Sequence, residues 1–299
     1  MFYRCYDLLI QSELALPELV MELQSCQPKA DVKICFGTTP QQGLPHGQQM
    51  GPFSWVGQDE FWLQVKGVAR YWVRSSQHII IDPEPTADEH SLRVFLLGTI
   101  FGVLLFQRGF LVLHGNAVRV GSACLICAGD SGAGKSTLAA ALWQRGYDIL
   151  ADDVVPINKQ CQALLGFPRI KLWQDAAEKL AIPTDNLHPI RPGLKKFHFP
   201  LPAATQINPV PVRWVYILSQ HNQSDITIKP ISGMKRYKPL MDHTYRRRFM
   251  KGMALAPHHL QLCGQLAAQI RLVEVNRPKQ GFSLDHLVET ILADVENHP

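Results

Sequence analysis

The chain has 299 residues, 46% of them hydrophobic and 18% charged, which is the composition of a globular protein with a full core. Lysine and arginine number 30 against 25 acidic residues, and a net charge of +5 is too small to argue for nucleic acid. An acidic substrate is enough to account for it.

At the N-terminus, Met1-Phe2-Tyr3-Arg4-Cys5-Tyr6-Asp7 lacks the basic region, apolar stretch and cleavage site of a secretory signal. Seven cysteines without scaffold-like spacing point to a reducing cytoplasm rather than a disulfide framework. Residues 1–90 read as a small α+β unit. Within it, residues 41–52 read as a polar loop, residues 61–73 as two strand-like runs broken near Gly67, and residues 78–81 as a further strand. The aromatics Trp55, Phe61, Trp62, Tyr71 and Trp72 suit either a core or a docking surface.

Residues 91–299 read as the core of the protein. The apolar run of residues 94–106 is shorter than the roughly 20 residues of a membrane helix and predicts a buried helix packed on a sheet. Residues 110–113 lead as a strand into His114, residues 122–128 form a buried strand, and residues 136–145 form a helix ended by Gly146. Cys124 and Cys127 form a C-x-x-C within the strand, where buried thiols compete with a redox or metal pair. Residues 147–151 predict a strand with Asp152 and Asp153 at its C-terminal end. Residues 166–173 and 188–198 read as basic loops, and residues 212–218 as a strand. A helix follows over 257–269, a strand over 271–275, and a final amphipathic helix with Ser283 as N-cap.

Between the strand of 122–128 and the helix of 136–145 lies Gly129-Asp130-Ser131-Gly132-Ala133-Gly134-Lys135-Ser136, which fits the phosphate-binding pattern G-x-x-x-x-G-K-[ST]. Successive backbone N–H groups of such a loop form a concave nest for a polyphosphate, and the helix N-terminus behind it favours the same anion. Lys135 reaches the β- and γ-phosphates, and the Ser136 hydroxyl is placed to hold Mg²⁺. The pattern predicts ATP and Mg²⁺ as cofactors. A phosphate loop alone is shared by kinases, hydrolases and switches.

The acidic pair narrows the choice. Asp152 stands 17 residues past Lys135, so its strand should lie near the loop strand. One carboxylate can hold Mg²⁺ while the other accepts the proton of an attacking hydroxyl, and adjacent residues leaving a strand can face different sides. A plain turn or metal pair without a base competes with this reading. His114 either orients a carboxylate or is a strand-end histidine. Arg191, Lys195 and Lys196 lie in a Gly- and Pro-containing segment suited to closing over a nucleotide or gripping substrate. Arg246, Arg247, Arg248 and Lys251 suit an acidic peptide or a solvated helix face.

Leu113-His114-Gly115, the run from Ala128 to Thr137, Arg145-Gly146-Tyr147 and Ala151-Asp152-Asp153 together resemble the catalytic core of the HPr kinase/phosphorylase family. The resemblance implies an α/β fold, an HPr-kinase/phosphoenolpyruvate-carboxykinase-like phosphate-loop core with a mixed sheet, and a protein serine kinase activity. It implies Gly132, Gly134, Lys135, Ser136 and Thr137 on ATP and Mg²⁺, Asp153 or Asp152 as base, and His114 in support. It also implies an oligomer formed through the core. After the acidic pair the chain departs from that family. Gly166-Phe167-Pro168-Arg169-Ile170-Lys171-Leu172-Trp173 stands in place of an R-G-x-G signature and a metal-holding carboxylate, so HPr as acceptor and the phosphorylase reaction are not carried over.

The approach from Arg108-Gly109 to Val118 and the P-R-x-x-L-W segment resemble divergent bacterial relatives, among them tailoring kinases of ribosomally made peptides such as lasso peptides. The leading expectation is transfer of the γ-phosphate to a serine hydroxyl of a peptide or small protein. A small-metabolite kinase and a nucleotide-gated adaptor without transfer activity are the alternatives.

Overall fold

The computed structural model describes residues 1–22, 29–185, 187, 189–190, 193–202, 208–281 and 283–299. Nine strands open the chain: β1 (Phe2–Cys5), β2 (Leu8–Ser12), β3 (Val20–Met21), β4 (Val32–Phe36), β5 (Gln48–Gly51), β6 (Ser54–Val56), β7 (Glu60–Val65), β8 (Ala69–Arg74) and β9 (His78–Pro83). They form one sheet in the order β3-β1-β2-β4-β9-β8-β7-β6-β5. The β7–β8 hairpin turns at Gly67, as the break in the pattern predicts. Burial alternates along β8, where Ala69, Tyr71 and Val73 face inward, while the adjacent Phe61 and Trp62 of β7 are both buried, so most of the aromatics serve as core. Residues 41–52, expected as loop throughout, include β5 at their end.

Two helices joined by a π-helical turn follow, α1 (Glu89–Phe95), the turn Leu96–Ile100, and α2 (Phe101–Gln107). Asp88 caps α1 by accepting from the Ser91 N–H. The continuous helix Glu89–Gln107 is long and apolar enough to cross a membrane by length and composition, yet 67% of its apolar window is buried inside the fold. Tyr71 donates its hydroxyl to the Leu92 carbonyl at 2.9 Å, tying the helix to the sheet.

The second set of elements comprises β10 (Leu111–Val120), β11 (Ala123–Gly129), α3 (Lys135–Gln144), β12 (Ile149–Ile157), β13 (Gln162–Ala163), β14 (Arg169–Trp173), α4 (Gln174–Lys179), β15 (Lys196–Pro200), β16 (Val210–His221), β17 (Thr227–Pro230), α5 (Tyr237–Asp242), α6 (Arg247–Gly252), α7 (Ala256–Gln269), β18 (Arg271–Pro278) and α8 (Leu284–Glu296). Seven of these strands form a mixed sheet in the order β11-β10-β12-β13-β16-β18-β17, and β11 also pairs in parallel with β16. The pairings therefore run round a ring through β11, β10, β12, β13 and β16. A mixed α/β fold with the phosphate loop between strand and helix agrees with the sequence.

The chain divides into two compact units, Met1–Val112 with Tyr245–Leu260, and Leu113–Thr244 with Gln261–Pro299. In the second, the apolar side of α3 (Leu138, Leu142) packs with Leu125, Ile170, Leu172, Val288 and Ile291. Full burial of each such side chain stabilises by about 1.5–3 kcal/mol. Ser283 caps α8 by accepting from the His286 N–H, and Leu287, Val288, Ile291 and Val295 form its buried stripe.

Three readings are corrected. Residues 166–173 and 188–198 are not loops throughout, because β14 and β15 pair antiparallel from Arg169 opposite Pro200 to Trp173 opposite Lys196. His114 lies early within β10 rather than at its end. Asp152 and Asp153 lie inside β12, which continues to Ile157, rather than at its C-terminal end.

Gly115 stands opposite Ala128 in the β10–β11 ladder, and a Cβ built there would lie 2.4 Å from the Cys127 carbonyl oxygen. Gly115→Ala is expected to lower unfolding stability by about 1–3 kcal/mol, the usual cost of overpacking against backbone, as read in denaturant titration.

Candidate functional site

The site is assembled by three adjacent strands. β11 ends at Gly129 and releases the chain into the phosphate loop, which turns into α3 at Gly134. β10 pairs with β11, and β12 is its other neighbour in the sheet, so His114 and the acidic pair stand beside that exit. His114, Ser131, Gly132, Gly134, Lys135, Ser136, Thr137, Asp152, Asp153 and Lys196 all line one cavity of about 510 Å³. Gly129, Asp130 and Ala133 belong to the loop but not to the cavity lining, and Ala133 is buried. Lys195 is exposed and is not among the lining residues. Arg191 lies outside the described residues.

The loop holds its shape with its own cations. Lys135 is buried and donates to the carbonyls of Gly129 at 2.8 Å and Asp130 at 3.0 Å. Burial pushes its ammonium pKa down, and the charge of Asp153 acts against that shift. Arg277, at the end of β18, donates through Nε to the Ala133 carbonyl at 2.9 Å. Gly134 has φ +102°, and a Cβ there would meet the Arg277 guanidinium at 3.1 Å. Both the left-handed backbone and the close guanidinium call for glycine at that position. Gln220 of β16 donates to the Gly132 carbonyl at 2.8 Å.

Asp153 departs from strand geometry, with φ +73° inside β12. Adjacent strand residues ordinarily face opposite sides, yet both Asp152 and Asp153 line the same cavity. The expected division onto two sides is replaced by a pair facing one space. Asp152 is buried. Its Oδ1 accepts a short hydrogen bond from the Asn116 amide, and its Oδ2 accepts the Lys171 backbone N–H at 2.8 Å. Asp153 accepts the Lys171 ammonium on Oδ2 at 2.6 Å, and its Oδ1 lies 3.1 Å from His114 Nδ1.

The two carboxylates are driven apart electrostatically. Burial, and then the charge of Asp153, raise the Asp152 pKa. Burial also pushes Asp153 up, but the Lys171 ammonium and the His114 hydrogen bond outweigh it and hold Asp153 well below the usual carboxylate range. Lys196, from β15, has its ammonium 5.4 Å from the Trp173 ring centre, and burial lowers its pKa.

Asn116, Lys171, Gln220 and Arg277 are site residues that sequence reasoning missed. Asn116 follows His114 by two and shares its strand face, a signal the period of a strand supplies. Lys171 sits in the alternation Arg169-Ile170-Lys171-Leu172-Trp173, with Ile170 and Leu172 fully buried, which reads as a strand once basic residues are not taken as loop markers. Gln220 and Arg277 come from distant strands with no local motif. The C-x-x-C cysteines are buried free thiols in β11, with Cys127 pushed up to about 12 by burial.

No family model matches the chain. Two curated relatives, the HPr kinase/phosphorylases of Treponema pallidum strain Nichols and of a second strain, of Treponema pallidum subsp. pallidum, are each 39% identical to it over 74 residues. The match covers 24% of this chain, and the chain spans 21% of the length of either relative. A solved structure of the Hpr(Ser) kinase/phosphatase from Coxiella burnetii matches 62% of this chain and 95% of that one at 13% identity. Its TM-score of 0.28 carries no structural argument. Over those 74 residues the chain resembles HPr kinase/phosphorylases.

Asn116→Ala removes the side-chain donor on one oxygen of buried Asp152, and is expected to lower unfolding stability by about 1–3 kcal/mol. Thermal melts of the variant beside wild type measure it.

Proposed function

We propose that the protein is an ATP- and Mg²⁺-dependent kinase that transfers the γ-phosphate to a serine hydroxyl of a peptide or small protein. The observation that carries this reading is the meeting of the phosphate loop with an ionised, donor-held Asp153 in one cavity. A switch or adaptor can use one carboxylate to hold Mg²⁺ but has little use for a second one placed as a base. The similarity to HPr kinase/phosphorylases over part of the chain supports the same class.

The loop N–H groups and the N-terminus of α3 receive the phosphate chain. Lys135 stabilises the charge that builds on the β- and γ-phosphates. The Ser136 hydroxyl and the Asp152 carboxylate offer hard oxygen donors of the kind Mg²⁺ takes together with phosphate oxygens, so these residues would hold it. When bound, Mg²⁺ supplies neutralisation of phosphate charge and alignment of the chain.

Asp153 takes the proton of the acceptor hydroxyl as the acceptor oxygen bonds to the γ-phosphorus. The bond from that phosphorus to the β–γ bridging oxygen breaks, and its electron pair leaves with ADP. His114 fixes the carboxylate during this step. Asp152 is buried, with Asn116 on one oxygen and the Lys171 N–H on the other, and this fixed placement suits a structural ligand. Lys196 lines the same cavity and is placed to meet substrate or γ-phosphate. No disulfide joins the six described cysteines, in keeping with a reducing, cytoplasmic setting. A ribosomally made precursor peptide is the acceptor class we favour, on the segment running from Arg108 to Val118 and the P-R-x-x-L-W segment.

Asp153→Asn is expected to leave ATP affinity within about threefold and to lower transfer at least about a hundredfold, the low end of general-base contributions. Calorimetry with ATP and mass spectrometry of candidate peptides incubated with ATP-Mg²⁺ read the two quantities, and full transfer by the variant overturns the assignment of the base. Lys135→Ala is expected to weaken binding and transfer together.

A further inference from the structure

Lys171 touches both members of the acidic pair, and it does so with two different groups. Its backbone N–H, presented by β14, fills one oxygen of Asp152. Its ammonium, with a side chain only 12% exposed, closes on Asp153 at 2.6 Å. With Asn116 on the other oxygen of Asp152 and His114 on that of Asp153, all four carboxylate oxygens face a donor. Lys135 and Lys196 add two further positive charges around the pair. Two carboxylates thus face three ammonium groups, and among the described residues no cluster of three His, Cys, Asp or Glu side chains is arranged to hold a metal ion.

A small divalent cation needs about six oxygen ligands, and protein sites for Mg²⁺ ordinarily supply one or two carboxylates with the rest from phosphate and water. Here Asp153 is engaged by a resident ammonium and Asp152 by the backbone N–H of the same residue. We propose that Lys171 is a specificity-determining residue for cation loading: its ammonium is the built-in counter-ion of Asp152 and Asp153, so that the site takes a divalent cation only together with the triphosphate. The inference rests on the nucleotide reading above. A lysine suits the role because its charge sits on a flexible four-carbon stem and can leave Asp153 when phosphate oxygens arrive to receive it. The β14–β15 pairing keeps the backbone N–H on Asp152 while the ammonium moves.

The test is Mn²⁺ binding to the full chain, followed by electron paramagnetic resonance of free Mn²⁺, with and without a non-hydrolysable ATP analogue. Wild type is expected to bind Mn²⁺ weakly alone and at least about tenfold more tightly with the analogue, since oppositely charged neighbours at this range dominate ion affinity. Lys171→Met and Lys171→Gln are each expected to bind Mn²⁺ about tenfold more tightly than wild type without nucleotide. Lys171→Arg, which keeps the charge, stays as wild type, and adding Asp153→Asn to Lys171→Met removes the gain. Unchanged nucleotide-free affinity in both neutral variants overturns the role, as does tight Mn²⁺ binding by nucleotide-free wild type. No step of this comparison needs phosphoryl transfer. A protein that transfers nothing to any acceptor sinks the kinase reading and leaves the Lys171 result standing on the neutral variants alone.

Discussion

The antiparallel contact between β10 and β11 is the constraint on which the site depends. Gly115 faces Ala128 across a ladder too tight for a side chain at Gly115, so the strands close up just before the phosphate loop begins. That closeness puts His114 one residue from the exit of β11 and leaves the other edge of β10 for β12. Phosphate loop, histidine and carboxylates, which are scattered over 40 residues of sequence from His114 to Asp153, become neighbours because three strands share one edge.

Around that edge the chain arranges charge asymmetrically. The loop's cations, Lys135 and Arg277, are turned onto its own carbonyls and shape the nest, while Lys171 is turned onto the carboxylates. The positive groups therefore have separate duties. Two neutral donors, the Asn116 amide and the Lys171 N–H, hold Asp152, whereas charged or chargeable groups hold Asp153. Identical side chains next to each other in sequence thus acquire opposite pKa tendencies from their partners alone.

What the sequence disclosed follows from how local each signal is. The phosphate loop, its helix and the capped final helix are written in contiguous residues, and each appears within a residue or two of its expected bounds. The acidic pair and His114 were legible as residues but not as geometry, since both were read as strand-end positions and both lie inside longer strands. Polar residues in the middle of a strand look like its end when only apolar runs are counted. Basic residues misled in the same way, because Arg169, Lys171 and Lys196 belong to a strand pair whose apolar members, Ile170 and Leu172, face the core. Gln220 and Arg277 were not legible at all, as their partners are loop carbonyls about 90 and 145 residues away in sequence.

The left-handed backbone at Asp153 explains why the pair needs so many partners. A non-glycine residue held in that region costs on the order of 1–3 kcal/mol, less for aspartate than for bulkier side chains. A hydrogen bond to a charged group returns about 1.5–3 kcal/mol, and Asp153 has an ammonium on one oxygen and a histidine on the other. The contacts that keep Asp153 ionised are then the same contacts that hold its backbone in place. Without that turn, strand alternation would send Asp153 to the opposite side of β12 from Asp152, and the cavity would keep only one carboxylate. The strained residue and its lysine clamp therefore form one device, in which backbone conformation sets which carboxylate faces the nucleotide cavity and Lys171 sets its charge.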